Sequence, residues 1–152
     1  MRVGCVVFAV LAGLSPLPAA AVDVTFTGLV VDTCTVVLAT PGIMGMSSDG
    51  TALGTTEGIG VPATVTILSI GANTVALSAP TLLTHPGDYT PGGETLEIAY
   101  TGLASHPLFS TTGLSFALGL LPLSELFVDL KVTNPNGFEQ GTYTAKTVLT
   151  CS

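Results

Sequence analysis

Apolar and polar residues alternate with a period of two along much of this chain. Val22, Val24 and Phe26 alternate with Asp23, Thr25 and Thr27. Residues 61–70, 75–79, 95–100, 126–132 and 142–151 behave similarly and are rich in Val, Ile, Leu and Thr. Successive side chains of a strand point to opposite faces, so this period marks half-buried strands. Branched Val, Ile and Thr side chains suit such a pleated surface. No stretch sets apolar residues at i, i+3, i+4 and i+7 against a polar face, as an amphipathic helix requires. Turn chemistry separates the runs: Pro41-Gly42, Asp49-Gly50, Gly71-Ala72-Asn73, Pro86-Gly87-Asp88, Pro91-Gly92-Gly93 and Asn134-Pro135-Asn136-Gly137. Short strands divided by such turns predict an all-β, antiparallel sandwich or barrel. Residues 111–123 fit either a strand or a short helical turn that crosses between sheets. With no internal repeat and no extended linker, the pattern predicts a single domain.

The N-terminus follows a different rule. Met1-Arg2 is a short basic start, residues 3–17 are almost wholly apolar, and Pro18-Ala19-Ala20-Ala21 follows. This is the three-part pattern of a secretory signal peptide, spanning residues 1–21. The apolar stretch is short for a transmembrane helix, which needs about 20 apolar residues. Cys5 precedes the apolar core and reads as a passive part of the signal. Residues 22–152 then form the exported domain, with no membrane span after cleavage. Its two cysteines, Cys34 and Cys151, are an even count in an oxidising compartment and predict one disulfide. A loop this long is worth about 4 to 5 kcal/mol by chain entropy, less any native strain.

Charge narrows the partners. The 152 residues carry 3 Lys+Arg against 10 Asp+Glu, a formal net charge of -7. Loss of Arg2 leaves Lys131 and Lys146 against the ten acids, or -8. No basic patch exists to neutralise phosphates, so neither nucleic acid nor an anionic membrane surface is an expected partner. With 47% hydrophobic and 9% charged residues, the composition is that of a folded chain.

Candidate chemistry is sparse. His85 and His106 each precede a proline, which biases them to extended loop conformations. Ser105-His106 with Asp88 is the nearest approach to a hydrolase constellation, and it lacks a Gly-x-Ser-x-Gly elbow. Asp49, Asp88, Glu94 and Glu97 fall in or near Gly/Pro loops without an Asp-x-Asp-x-Asp run, and read as solvated turn acids. Gly58-Ile59-Gly60 and Gly92-Gly93 lack the Lys-Ser/Thr that completes a phosphate loop. The expectation is a protein that is not an enzyme, with no catalytic residue, metal or cofactor.

Two segments carry a resemblance. Residues 24–36 read Val-Thr-Phe-Thr-Gly-Leu-Val-Val-Asp-Thr-Cys-Thr-Val, and residues 141–150 read Gly-Thr-Tyr-Thr-Ala-Lys-Thr-Val-Leu-Thr. The first resembles the opening strand of pilin-like domains from bacterial chaperone–usher fimbriae. The second is similar to the last strand of fimbrial and spore-coat-U-like subunits. The resemblance implies an immunoglobulin-like sandwich of about seven strands that lacks one strand, which a neighbour's N-terminal extension supplies. Main-chain hydrogen bonds would give affinity and alternate side chains would fill pockets. It assigns Val22, Val24, Phe26 and Gly28 to the donor. Tyr143, Ala145, Thr147 and Leu149 become the receiving strand, and Gly141 the turn before it.

The implied protein is an exported structural or adhesion subunit of a surface fimbria or coat-like assembly, periplasmic or on the cell surface. Its implied partners are like subunits and a periplasmic chaperone or usher. The alternative is a self-complete, monomeric secreted or periplasmic immunoglobulin-like binding module. Three features depart from the family. Only about six residues precede Gly28 in the mature chain. The penultimate residue is Cys151 where an aromatic is common. The family's disulfide joins the first two strands, whereas here the partner cysteine lies at the far end. Bridged Cα atoms lie about 4.4 to 6.8 Å apart. Strands flanking an inserted third lie nearly 10 Å apart, at about 4.8 Å per step. A Cys34–Cys151 bridge therefore brings the first and last strands together at one end and admits a donor only if they splay beyond it. On that ground it favours a self-complete or tip-like domain over a repeating shaft subunit.

Overall fold

The computed structural model describes residues 32–119 and 121–152. The expected signal peptide at residues 1–21 and the donor positions Val22, Val24, Phe26 and Gly28 lie outside the described residues. Among the described residues the chain is all-β, with twelve strands: β1 (Thr33–Thr40), β2 (Gly45–Met46), β3 (Ala52–Gly54), β4 (Ala63–Ile70), β5 (Asn73–Leu77), β6 (Thr81–Thr84), β7 (Thr95–Gly102), β8 (His106–Ser110), β9 (Leu114–Leu118), β10 (Leu121–Thr133), β11 (Thr144–Lys146) and β12 (Leu149–Cys151). Every pairing is antiparallel.

β10 organises the larger sheet. One of its edges pairs with β7, which carries β8 beyond it. The other pairs first with β4, which carries β1, and then with β3, which carries β2. The register between β10 and β4 shifts between Leu121 and Ser124, flanking Pro122, whose nitrogen has no hydrogen to donate to a ladder. Opposite this sheet lies a three-stranded one in the order β12-β5-β9, together with the pair β11-β6.

The period-two pattern explains the packing. In β4, Val65, Ile67 and Ser69 are buried while Leu68 and Ile70 are exposed. In β10, Leu126, Val128, Leu130 and Val132 are buried on one face. These meet Val75, Leu77 and Leu118 of the smaller sheet in one core cluster, with Ile98 and Tyr100 of β7. Burying each such aliphatic side chain contributes about 1.5 to 3 kcal/mol. Buried polar groups are satisfied. Asn73, at the tight β4–β5 turn, donates from Nδ2 to Ser69 Oγ (2.9 Å), Ile70 O (3.1 Å) and Thr33 O (3.2 Å). That ties the turn to the start of β1. Gly71 in this turn has φ 96° and lies directly against the Asp32 carboxylate, in space a Cβ would fill.

Several expectations are refined. Among the described residues twelve strand segments replace about seven. Residues 142–151 form two strands, β11 and β12, and the facing run forms β6 and β5. At the break Ser78 takes over from the ladder. Its N–H donates to Val148 O (2.8 Å), its Oγ accepts from Val148 N–H (2.9 Å), and its carbonyl accepts from Thr147 Oγ1 (2.7 Å). Residues 111–123 resolve into two strands in different sheets, β9 against β5 and the start of β10 against β4, so the crossing is made without a helix. His106-Pro107 is not a loop but opens β8, which among the described residues pairs only with β7, an edge position that tolerates proline.

A candidate strand-receiving groove

The first and last strands meet through a covalent bond and not through a ladder. Cys34 of β1 and Cys151 of β12 form a disulfide with Cα atoms 5.9 Å apart. Among the described residues β1 pairs only with β4, β12 only with β5, and β11 only with β6. Beyond the bridge β1 and the β11–β12 line splay, and each presents to the space between an edge with no ladder partner among the described residues.

That space is an apolar groove. Near the bridge it is a cavity of about 360 Å³, walled by Val36 on β1 and Leu149 on β12, with Leu77 and Val65 beneath. Farther away it widens to about 560 Å³, walled by Leu38 and Met44 on one side and Tyr143 and Ala145 on the other. Both parts share Leu38, Ala63, Val128 and Thr147, so they form one continuous channel. β1 turns Cys34, Val36 and Leu38 toward the interior, yet Leu38 is 59% exposed. Ile43, at the open end, is 53% exposed. In a closed sandwich such inward-facing side chains are covered; here the covering layer stops short.

The receiving-strand residues expected from the sequence come together on one wall. Tyr143, Ala145 and Thr147 line the wide part, and Thr147 and Leu149 the narrow part. Gly141 lies outside the groove and packs against Pro86, where a Cβ would come within 2.3 Å of Cγ. The resemblance assigns no groove role to the opposite wall, Val36 and Leu38, or to the floor, Ala63 and Val128. The Cys34, Val36, Leu38 alternation was the available signal for that wall. The floor residues carry no local sign of being uncovered, because they alternate like the rest of the core.

The open end is anchored by an aromatic cluster. Tyr143 sets its ring edge-on to Phe138 (5.3 Å between centroids) and Tyr89 (5.2 Å), and its hydroxyl donates to Glu139 O (3.0 Å). Tyr89 donates its hydroxyl hydrogen to Glu94 and accepts from Asn134 Nδ2 (2.8 Å). Burial, reinforced by the bond to Glu94, pushes the Tyr89 hydroxyl up to about 12. The same bond holds the Glu94 carboxyl below the ordinary range. Lys146 lies at the wide part of the groove, while Lys131 pairs with Glu57 at 3.5 Å.

The remaining candidates are placed in local roles. His85 Nδ1 lies 2.9 Å from Pro86 O and its ring packs on Tyr89. His106 Nδ1 lies 2.8 Å from Leu108 O and its ring packs on Tyr100. The two histidines thus belong to different clusters, and His106 is bonded to neither Ser105 nor Asp88. Asp49 caps its own turn, accepting from Ser47 Oγ (2.6 Å) and Thr51 N–H (3.1 Å), which lowers its carboxyl to about 2. Among the described residues no group of three His, Cys, Asp or Glu side chains is arranged to hold a metal ion. No helix among them is long and apolar enough to cross a membrane. No protein-family model matches the chain, and no curated protein matches it in sequence.

Proposed function

We propose that this chain is an exported, non-enzymatic structural or adhesion subunit of a surface assembly, joined to its neighbours by β-strand addition. The observation that carries this reading is the groove: two strand edges without a ladder partner among the described residues flank an exposed strip of core between β1 and β11–β12. An extended segment laid there gains main-chain hydrogen bonds along both walls and covers Leu38 and Ile43. Each large apolar side chain so covered contributes about 1.5 to 3 kcal/mol. An apolar slot between free edges is also an aggregation hazard. A periplasmic chaperone that fills it before assembly fits that hazard. The resemblance of residues 24–36 and 141–150 to pilin-like and spore-coat-U-like subunits points the same way, to an immunoglobulin-like fold on a cell-surface fimbria or coat.

A second reading has an observation of its own. The Cys34–Cys151 bridge fastens the first strand to the last, as suits a self-complete monomer whose groove is filled from within. Refolding the purified mature chain separates the two. Strand addition yields oligomers that rise with concentration and resist SDS without boiling, or a chain that folds only with a chaperone. A chain that refolds alone to a stable monomer at every concentration removes the assembly reading.

A further inference from the structure

The margin away from the groove ends in a strand edge of a different kind. We propose that the free edge of β9 is a self-association surface, where a second copy of this chain lays its own β9 antiparallel about a two-fold axis at Phe116. The contact is separate from the groove, because β9 and β12 are opposite edges of the three-stranded sheet. Strand addition would join copies end to end, and β9 pairing would join them side by side.

The ladder fixes which main-chain groups of β9 are free. Thr74 of β5 donates its N–H to Ser152 O (2.6 Å) and accepts from Ser152 N–H (3.0 Å), so Thr74 and Ala76 are turned toward β12. Main-chain groups alternate in direction along a strand, so Asn73, Val75 and Leu77 are turned the other way, toward Leu118, Phe116 and Leu114 of β9. The N–H and C=O of Ser115 and Ala117 therefore point away from β5, to an edge with no ladder partner among the described residues. Both residues are exposed. Natural sheets guard such edges with proline, charge, bulges or brevity. β8 carries Pro107, β2 has two residues, and β6 follows Pro80 and is irregular against β11. β9 has five residues, no proline and no charged side chain, and its register with β5 is unbroken.

A second copy is the occupant that this edge fits. The chain carries ten acids, yet residues 98–124 contain no Asp, Glu, Lys or Arg, and neither do β5 and β12. Two copies of so acidic a chain repel each other, and an uncharged margin lets them meet without opposing acids. The strand is also complementary to itself. With Phe116 opposite its copy, Ser115 faces Ala117 on both sides of the axis, and each such pair exchanges both of its main-chain bonds. Their small side chains leave the outer face without obstruction. On the inner face Phe116 is half-buried, with its ring centroid 4.9 Å from that of Tyr100. The second copy's Phe116 covers it further, as an aromatic cross-strand pair at the close, non-hydrogen-bonded position.

Sedimentation equilibrium and amide exchange on the mature chain test this, in a Leu38→Asp background that disables the groove. The expected result is a monomer–dimer equilibrium, with slowed exchange at the Ser115 and Ala117 amides in the dimer. Ala117→Pro removes an outward N–H that the β5 ladder does not use, so the monomer keeps its fold while self-association weakens by about tenfold or more. Ser115→Glu adds like charge to the edge, and the same weakening is expected; it covers the case in which the proline variant fails to fold. Ile59→Lys, at the 85% exposed Ile59 far along the chain from β9, is expected to leave the dimer unchanged. A chain that stays monomeric in the Leu38→Asp background overturns the proposal. So does a dimer that survives both edge substitutions, or one that Ile59→Lys dissolves. Equal exchange at Ser115 and Ala117 in dilute and concentrated solution overturns it without recourse to any edge variant.

Discussion

The two long margins of this sandwich are built from the same alternation but end differently. On the side where β9 and β5 face β7 and β10, the layers close: Val75, Ile98 and Leu126 are each 0% exposed. On the side where β11 and β12 face β1, the large sheet outruns its partner, and Leu38 is left 59% exposed although it faces inward. The lesson is that an uncovered core position is a property of the layer opposite, not of the strand that carries it. The bridge fastens the open margin at one end, so the missing cover is a slot and not a frayed edge.

The contrast is sharpest for large-to-small changes. Ile98→Ala, on the closed side, is expected to lower unfolding free energy by about 2 to 5 kcal/mol in urea titrations. Leu38→Asp, on the open side, is expected to change monomer stability by no more than about 0.5 kcal/mol, because the site is wet already. It should nevertheless abolish SDS-resistant oligomers. Equal destabilisation by both would mean that Leu38 is covered in the monomer.

Removing the fastening comes next. Cys34→Ser with Cys151→Ser is expected to cost about 2 to 4 kcal/mol of stability by urea titration, from the freed denatured chain. Intact-mass measurement with and without reduction checks the bond itself.

The aromatic cluster behind Tyr143 gives a pH signature. Tyr89 ionises near 10 when unfolded and at about 12 when folded. The folded state therefore keeps its proton longer, and the contribution is complete below pH 10 and lost as pH rises from about 10 to about 12. The expected loss is on the order of 2 kcal/mol in denaturant midpoints. Tyr89→Phe should remove this dependence. The smallest effect is at Asp49, whose carboxyl is depressed to about 2. Its contribution is present above the ordinary Asp value and fades as pH falls toward 2. Asp49→Asn should flatten that acid limb slightly.

Much of the fold was legible because period two survives even where strands are short: β4, β5, β7 and β10 lie where Val-, Ile- and Thr-rich alternation lies. The disulfide was legible from an even cysteine count. The breaks were not. Nothing local to Ser78 or Val148 announces that a serine hydroxyl replaces a ladder bond there, since the substitution depends on the facing strand. β8 was masked by His106-Pro107, whose proline reads as a loop signal and is admitted because β8 is an edge. The alternation of residues 142–151 was legible as strand, and that stretch holds β11 and β12. The groove as a cavity was not, because it is set by which strand fails to pair with which.

The most direct test of strand addition is amide hydrogen exchange compared between the dilute chain and the concentrated, assembled one. The account predicts new protection at the facing edges, β1 between Val36 and Thr40 and β11–β12 between Thr144 and Leu149, with β7 unchanged. Equal exchange at those amides in both states, or protection arising on β8 instead, would contradict it.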